Sequence, residues 1–303
     1  MTQHLTRPTR ILVSLGVIAL LATMTGCGRS ASSADEPVDT SSSTSGSESG
    51  TDAASLVPAA LKEKGVLKVA TAEGYPPMEM YAEGTTDLIG VDPELAELIA
   101  TQLGLSFEIS NASFPGLIPG LQSKQWDLAL SSMSDTEERR QAVNFVDYFV
   151  AGGAIMVPLG NPESIGTIAD LCGKNIVGAK GSSNLAILQS YSTDECASPM
   201  IISESEDAPT GLLQLDTGRA VATMVDFPVA KKLASIAGKY EVLPEQYEAG
   251  PWGIAIDKND QELTKAVQAA LNELIENGEY EKLLTKYDVQ DAGVTDAKIN
   301  DGN

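Results

Sequence analysis

The stretch Trp126-Asp127-Leu128-Ala129-Leu130-Ser131-Ser132-Met133-Ser134-Asp135-Thr136-Glu137-Glu138-Arg139 decides the fold. Residues 126–130 read as a strand. Small hydroxyl residues follow, then a helix start with Asp135 or Thr136 as its cap. Glu138 lies three residues after Asp135, the spacing of a capping box. A strand end, hydroxyl groups and a helix N-terminus together offer backbone N–H groups and a positive dipole end. Arg139 adds a planar fork that suits a carboxylate. This corner is expected to hold an anion, which points to a small ligand carrying a carboxylate.

The same strand–loop–helix grammar extends on both sides. Upstream, residues 64–71 turn into a strand, and Glu73-Gly74-Tyr75-Pro76-Pro77-Met78-Glu79 breaks into a loop. Asp92 is read as the N-cap of a helix with Pro93 at its first position. Leu95, Leu98, Ile99 and Leu103 share one face of that helix, and Gly104 ends it. A strand over 106–109 and a short amphipathic helix around Leu117, Ile118 and Leu121 complete the first series. Downstream, strands are expected at 175–179, 200–203, 219–225 and 252–256. Helices are expected at 185–191, from Asp207 through 215, at 228–237, 259–277 and 279–287. This order implies an α/β fold with a mixed or parallel open sheet in two lobes. Ligands of such sheets sit beyond the strand carboxyl ends, where Tyr75, Ser132, Gly181-Ser182-Ser183 and Asp226 all fall.

The chain has 303 residues, 43% of them hydrophobic, enough for a sizeable core and about two domains. Its first residues read as a targeting segment: Arg7 and Arg10 precede an apolar run over 11–22, too short to span a bilayer. Met24-Thr25-Gly26-Cys27 resembles a lipobox, which would place a lipid on Cys27 after removal of 1–26. An ordinary signal with an incidental cysteine is the alternative. Residues 27–54 are rich in Ser, Thr, Gly, Asp and Glu and are expected to form a flexible tether. Residues 291–303 are expected to be a loose tail.

The net charge of −22 falls to near −24 when Arg7 and Arg10 leave with the signal. Such a surface argues against nucleic acid. The lone histidine, His4, lies in the signal. The mature chain therefore offers no His-based catalysis or metal site, and no cofactor is expected. Cys172 and Cys196 remain as one disulfide or as two buried thiols, with export favouring the bridge.

Several segments, in this order, resemble the amino-acid-binding solute-binding proteins that feed ABC importers, the group of the histidine- and glutamine-binding proteins. They are Gly90-Val91-Asp92-Pro93-Glu94-Leu95-Ala96, Phe114-Pro115-Gly116-Leu117-Ile118-Pro119-Gly120-Leu121-Gln122, Trp126-Asp127-Leu128-Ala129, the 131–139 stretch with Asn144-Phe145, Lys180-Gly181-Ser182-Ser183, and residues 213–226. The resemblance implies a periplasmic-binding-protein type II fold. Lobe 1 would be 55–153 plus 252–290, and lobe 2, inserted, 154–251. Two crossing strands near 151–158 and 247–253 would form the hinge of a clamp. It implies roles too: Arg139, Ser132, Ser134 and Ser183 on a ligand carboxylate, Asp226 on an ammonium, Tyr75 and Phe114 as walls. The implied partners are a free amino acid, an ABC permease and a membrane reached through the lipid anchor, for a monomer outside the cytoplasm.

Selectivity is less plain. Relatives that bind cationic side chains tend to carry an acid where this chain has Ala72, with Glu73 beside it. Asp135 is read as a helix cap before a pocket residue, and a polar ligand is weakly preferred. Two other functions compete: a ligand-sensing or partner-binding module of the same fold, and a dehydratase-like enzyme. The enzyme needs a free general acid or base, and Asp226, the best-placed carboxylate, is already assigned to the ammonium.

Overall fold

The computed structural model describes residues 52–302. The signal and the lipobox at Cys27 lie outside the described residues. The chain begins with α1 (Ala53–Leu56), capped by Asp52, and α2 (Ala59–Lys64). Ala53 is fully buried and its N–H donates to Glu273. The tether expected through residue 54 therefore gives way to folded structure by Asp52.

The first series comprises β1 (Val66–Thr71), β2 (Met80–Tyr81), β3 (Leu88–Ile89), α3 (Val91–Gln102), β4 (Ser106–Asn111), α4 (Leu117–Gln122), β5 (Leu128–Ala129) and α5 (Glu137–Arg140). β1 lies between β4 and β5, parallel to both. The chain then runs into β6 (Val143–Pro158), a strand of 16 residues. The second series comprises β7 (Asn175–Ala179), α6 (Ser183–Asp194), β8 (Ile201–Ser205), α7 (Ala208–Asp216), β9 (Ala222–Asp226) and α8 (Phe227–Ala237). Here β7 is parallel to β8 and β9. β10 (Tyr240–Asp257) returns antiparallel to β6 along nearly its whole length, and α9 (Gln261–Glu276) and α10 (Glu279–Lys286) close the body.

The eight-strand order is β4-β1-β5-β10-β6-β9-β7-β8. The long pair β6/β10 thus carries a three-strand group on each side. One apolar cluster fills the first group with Leu67, Val69, Leu95, Ile99, Leu128 and the α9 stripe Leu263, Val267, Leu271, Leu274, and it continues into the second group at Val177, Leu212, Leu215, Val225 and Val229. A separate cluster of Ile155, Ile176, Leu188, Met200 and Met224 lies on the second group's side. The α9 stripe follows the helical period. Asp260 caps its first turn and left-handed Gly278 follows its end. Cys172 and Cys196 form a disulfide in the second group.

Three local expectations are corrected. Asp92 does not cap α3: Gly90 precedes that helix without a side-chain cap, and Asp92 is buried inside the first turn. Gly90 is needed there, because its φ is +129° and an added Cβ would lie 2.2 Å from the Met78 carbonyl oxygen. At α5 the cap is Thr136, whose hydroxyl accepts from the Arg139 N–H, while Asp135 faces elsewhere. With four residues, α5 has little dipole to lend an anion. The third is the tail, expected to be loose. Asp147 donates its N–H to the Lys298 carbonyl (2.8 Å), Phe145 and Asn300 exchange two hydrogen bonds, and Ala297 is buried. The tail covers the β6 edge that β9 leaves unpaired. Main-chain pairing of this kind needs little apolar side chain, so a polar composition did not reveal it.

Two substitutions test this packing. In Gly120→Ala the new Cβ would fall 1.9 Å from the Trp126 ring. Overpacking of this kind costs about 1–3 kcal/mol, so the melting temperature is expected to drop by several degrees. Replacing both cysteines by Ala opens a loop with a sequence separation of 24. A loss of about 3 kcal/mol is expected in a denaturant titration.

Candidate functional site

The ends of β1, β5, β7 and β9 meet around a cavity of about 370 Å³. All seven residues expected to bind ligand line it: Tyr75, Phe114, Ser132, Ser134, Arg139, Ser183 and Asp226. They come from both sides of the β6/β10 pair and touch across it. The Tyr75 hydroxyl donates to Asp226 Oδ2 at 2.7 Å and accepts from the Asp226 N–H at 3.2 Å. Ser134 and Ser183 share a hydroxyl–hydroxyl bond of 2.9 Å. Ser182, not Ser183, caps α6, which leaves the Ser183 side chain for the cavity.

Arg139 is held like a bracket. Its Nη1 donates to the Ser134 carbonyl at 2.8 Å and its Nη2 to the Gly181 carbonyl at 3.0 Å. The guanidinium lies 5.5 Å from the centre of the Phe114 ring, a cation–π distance. No carboxylate among the described residues lies within ion-pair distance of Arg139. The negative charge it feels most is that of Asp226, which is buried, ahead of Glu138. Burial raises the Asp226 carboxyl above the usual carboxylate range, opposed by hydrogen bonds from Tyr75 and Asn184 and by the Arg139 charge. The cavity therefore has a cationic wall with spare N–H donors and an anionic wall on the opposite lobe. The arrangement can hold a molecule carrying both a carboxylate and an ammonium.

Beneath the cavity lies a polar cluster that sequence reasoning missed. Glu79 is 1% exposed and Asp92 fully buried, and the Ser132 hydroxyl lies between their carboxyl groups, 3.2 Å from Glu79 Oε2 and 3.3 Å from Asp92 Oδ2. Ser131 Oγ donates to Glu79 at 2.9 Å, Tyr148 to Asp92 at 2.7 Å, and the Ser132 N–H to Asp92 at 2.7 Å. That last bond accounts for the left-handed backbone of Ser132, with φ +46°, which turns its N–H inward. Two buried carboxyls cannot both ionise cheaply, so a proton is shared. Burial, then the Asp92 charge, pushes Glu79 well above its usual value, and burial pushes Asp92 up to about 6. Glu79 sits in a loop without periodicity, and Asp92 mimicked a cap, so neither carried a sequence signal. Glu79, Glu73, Glu206 and Asp207 line the cavity, whereas Asp135 does not. Asn184 also lines it, and its buried Oδ1 has no donor. Among the described residues no group of Asp, Glu, Cys or His could hold a metal ion.

The shared proton has a measurable sign. Both carboxyls hold protons more tightly folded than unfolded. Stability therefore falls as pH rises from about 4, the unfolded value, through about 6. In Glu79→Gln one member no longer titrates. Its melting temperature relative to wild type is expected to climb across that window in ligand-free melts. A constant difference would remove proton sharing.

Residues 67–290 match the model of the bacterial extracellular solute-binding proteins, family 3. The arginine-binding protein ArgT of Corynebacterium glutamicum is 28% identical over 81% of this chain and 82% of its own. The arginine-binding extracellular protein ArtP of Bacillus subtilis is 33% identical over 81% of this chain and 90% of its own. Among solved structures, holo ArgBP from T. maritima superposes with a TM-score of 0.68 at 29% identity, covering 76% of this chain and 99% of that one. In line with these likenesses, among the described residues no helix is long and apolar enough to cross a membrane. The cleft geometry and the match over most of the body lead to one conclusion: this chain belongs to the bacterial extracellular solute-binding proteins of family 3.

Proposed function

We propose that this protein captures a free α-amino acid outside the cytoplasm and delivers it to an ABC importer, tethered by lipid on Cys27. The observation that carries the reading is the half-buried Arg139, without an ion-pair partner among the described residues, facing the buried Asp226 across the cavity. A zwitterion satisfies both: its carboxylate takes the free donors of Arg139 with Ser132, Ser134 and Ser183, and its ammonium takes Asp226. Tyr75 and Phe114 flank the side chain. Because these groups belong to two lobes, a ligand that binds both favours the closed clamp.

The lining acids Glu73, Glu206 and Asp207 outnumber Lys180, the other cation of the cavity. This balance, and the arginine named for the relatives, support a polar or cationic side chain, with arginine the first to test. The relatives are binding proteins, which supports capture over turnover.

The test is a melting-temperature screen of residues 52–303 against the common amino acids, followed by titration calorimetry on whatever shifts it. A ligand that binds only the native state raises the transition by mass action. Arg139→Ala and Asp226→Asn are each expected to weaken binding by about 30-fold or more, the loss of one partner of a buried charged contact. Arg139→Lys, which keeps charge but loses the fork, is expected to fall between. Unchanged affinity in both, or shifts only with compounds lacking the α-carboxylate or α-ammonium, would sink the assignment. Consumption of the ligand would favour the dehydratase-like alternative.

A further inference from the structure

The family match ends at residue 290, and the chain continues as a packed segment through Gly302. Its last residues do more than cover an edge. The Gly302 N–H donates to Asp135 Oδ2 at 2.9 Å, and Arg140 Nη1 donates to the Gly302 carbonyl at 2.6 Å. Arg140 also pairs with Asp135 at 3.3 Å. Asp135 directly follows Ser134, whose carbonyl holds Arg139, and Arg140 directly follows Arg139. Thus Gly302 grips the two residues that bracket the carboxylate-facing corner.

We propose that residues 298–302 are a positioning strap that holds the Ser134–Arg139 corner in its ligand-receiving geometry through Asp135 and Arg140. The inference rests on the amino-acid-binding reading for its effect on affinity, but not for its effect on the corner itself.

The geometry is specific at each step. Gly302 has no room for a side chain, since an added Cβ would meet the Asp135 carbonyl oxygen at 2.0 Å and Arg140 Nη1 at 2.9 Å. Asn300 fixes the register by donating its N–H to the Phe145 carbonyl and accepting the Phe145 N–H on its side chain. The Asp301 N–H donates to Asp147 Oδ2 at 3.1 Å. Asp147 Oδ1 is buried and has no donor. Burial, and then the nearby Asp135, push the Asp147 carboxyl up to about 7. Protonated, it neighbours Asp135 without repulsion. The corner is also supported by β10, through bonds from the Asp135 N–H to Pro251 and from the Gly253 N–H to Met133. These hold the main chain before Thr136. The strap and Asp135 both hold Arg140, on the side of the corner that carries the guanidinium.

The test compares wild type, Gly302→Val and Asp135→Ala in the full chain, with Asp135→Asn as the conservative rescue that keeps an acceptor for Gly302. Two readings are taken: amide hydrogen exchange over residues 133–141, and calorimetric Kd for the amino acid that shifts the wild type most. Gly302→Val and Asp135→Ala are expected to speed exchange in that segment about tenfold and weaken Kd about five- to tenfold. Asp135→Asn should return both toward wild type. A lowered melting temperature with unchanged exchange at 133–141 and unchanged Kd would make the strap a mere stabiliser and overturn the proposal. Faster exchange with unchanged Kd would overturn it too. If no amino acid shifts the wild type, the amino-acid reading falls and exchange alone decides: acceleration confined to 133–141 upholds the strap's hold on the corner, and none overturns it.

Discussion

The antiparallel pairing of β6 with β10 is the constraint on which the rest depends. Thirteen register pairs run from Tyr240↔Pro158 to Asp257↔Val143. The first-lobe strands attach through β5 to one end of this pair and the second-lobe strands through β9 to the other. Every cleft contact, Tyr75 with Asp226 or Ser134 with Ser183, is made between groups whose only strand connection is that pair. The cleft chemistry is therefore set by two rods of main-chain hydrogen bonds, backed by an apolar cluster that spans both lobes.

The cleft itself combines two kinds of polar design. Arg139 and Asp226 face the cavity without an ion-pair partner among the described residues, and each is oriented by neutral partners: carbonyls for the guanidinium, Tyr75 for the carboxylate. Glu79 and Asp92 beneath them are completed from within by hydroxyls, an N–H and a shared proton. The floor is thus stiff and close to electrically quiet, while the walls are charged. Charge aimed at a ligand has most effect where nearby dipoles do not need to reorganise around it.

Much of this was legible in the sequence, for reasons that can be named. The α9 stripe, the strand at β7 and the small residues after each strand follow period and turn rules that act locally. Of the seven residues that line the cleft, Tyr75, Ser132, Ser183 and Asp226 were reached by their place just after strands, and all seven by the family order they match. What escaped was set by distant partners. Asp92 has a cap's position but is turned inward by Ser132 and Tyr148, 40 and 56 residues away. Asp135 has the same ambiguity, resolved by Gly302, 167 residues away. The tail is polar in composition, yet it pairs through its backbone, which leaves no hydrophobic pattern to read.

The two rods of the hinge are unequal. β6 has 16 residues and β10 has 18. The register shifts fall at Val242/Gln246 and Tyr247/Gly250, where the extra residues lie on β10, and at Trp252/Gly253, where the extra residue, Tyr148, lies on β6. Both rods therefore carry irregularities. A bulge bends its strand and increases the local twist, so the pair is not a uniform ribbon: its extra twist is concentrated at three places along its length.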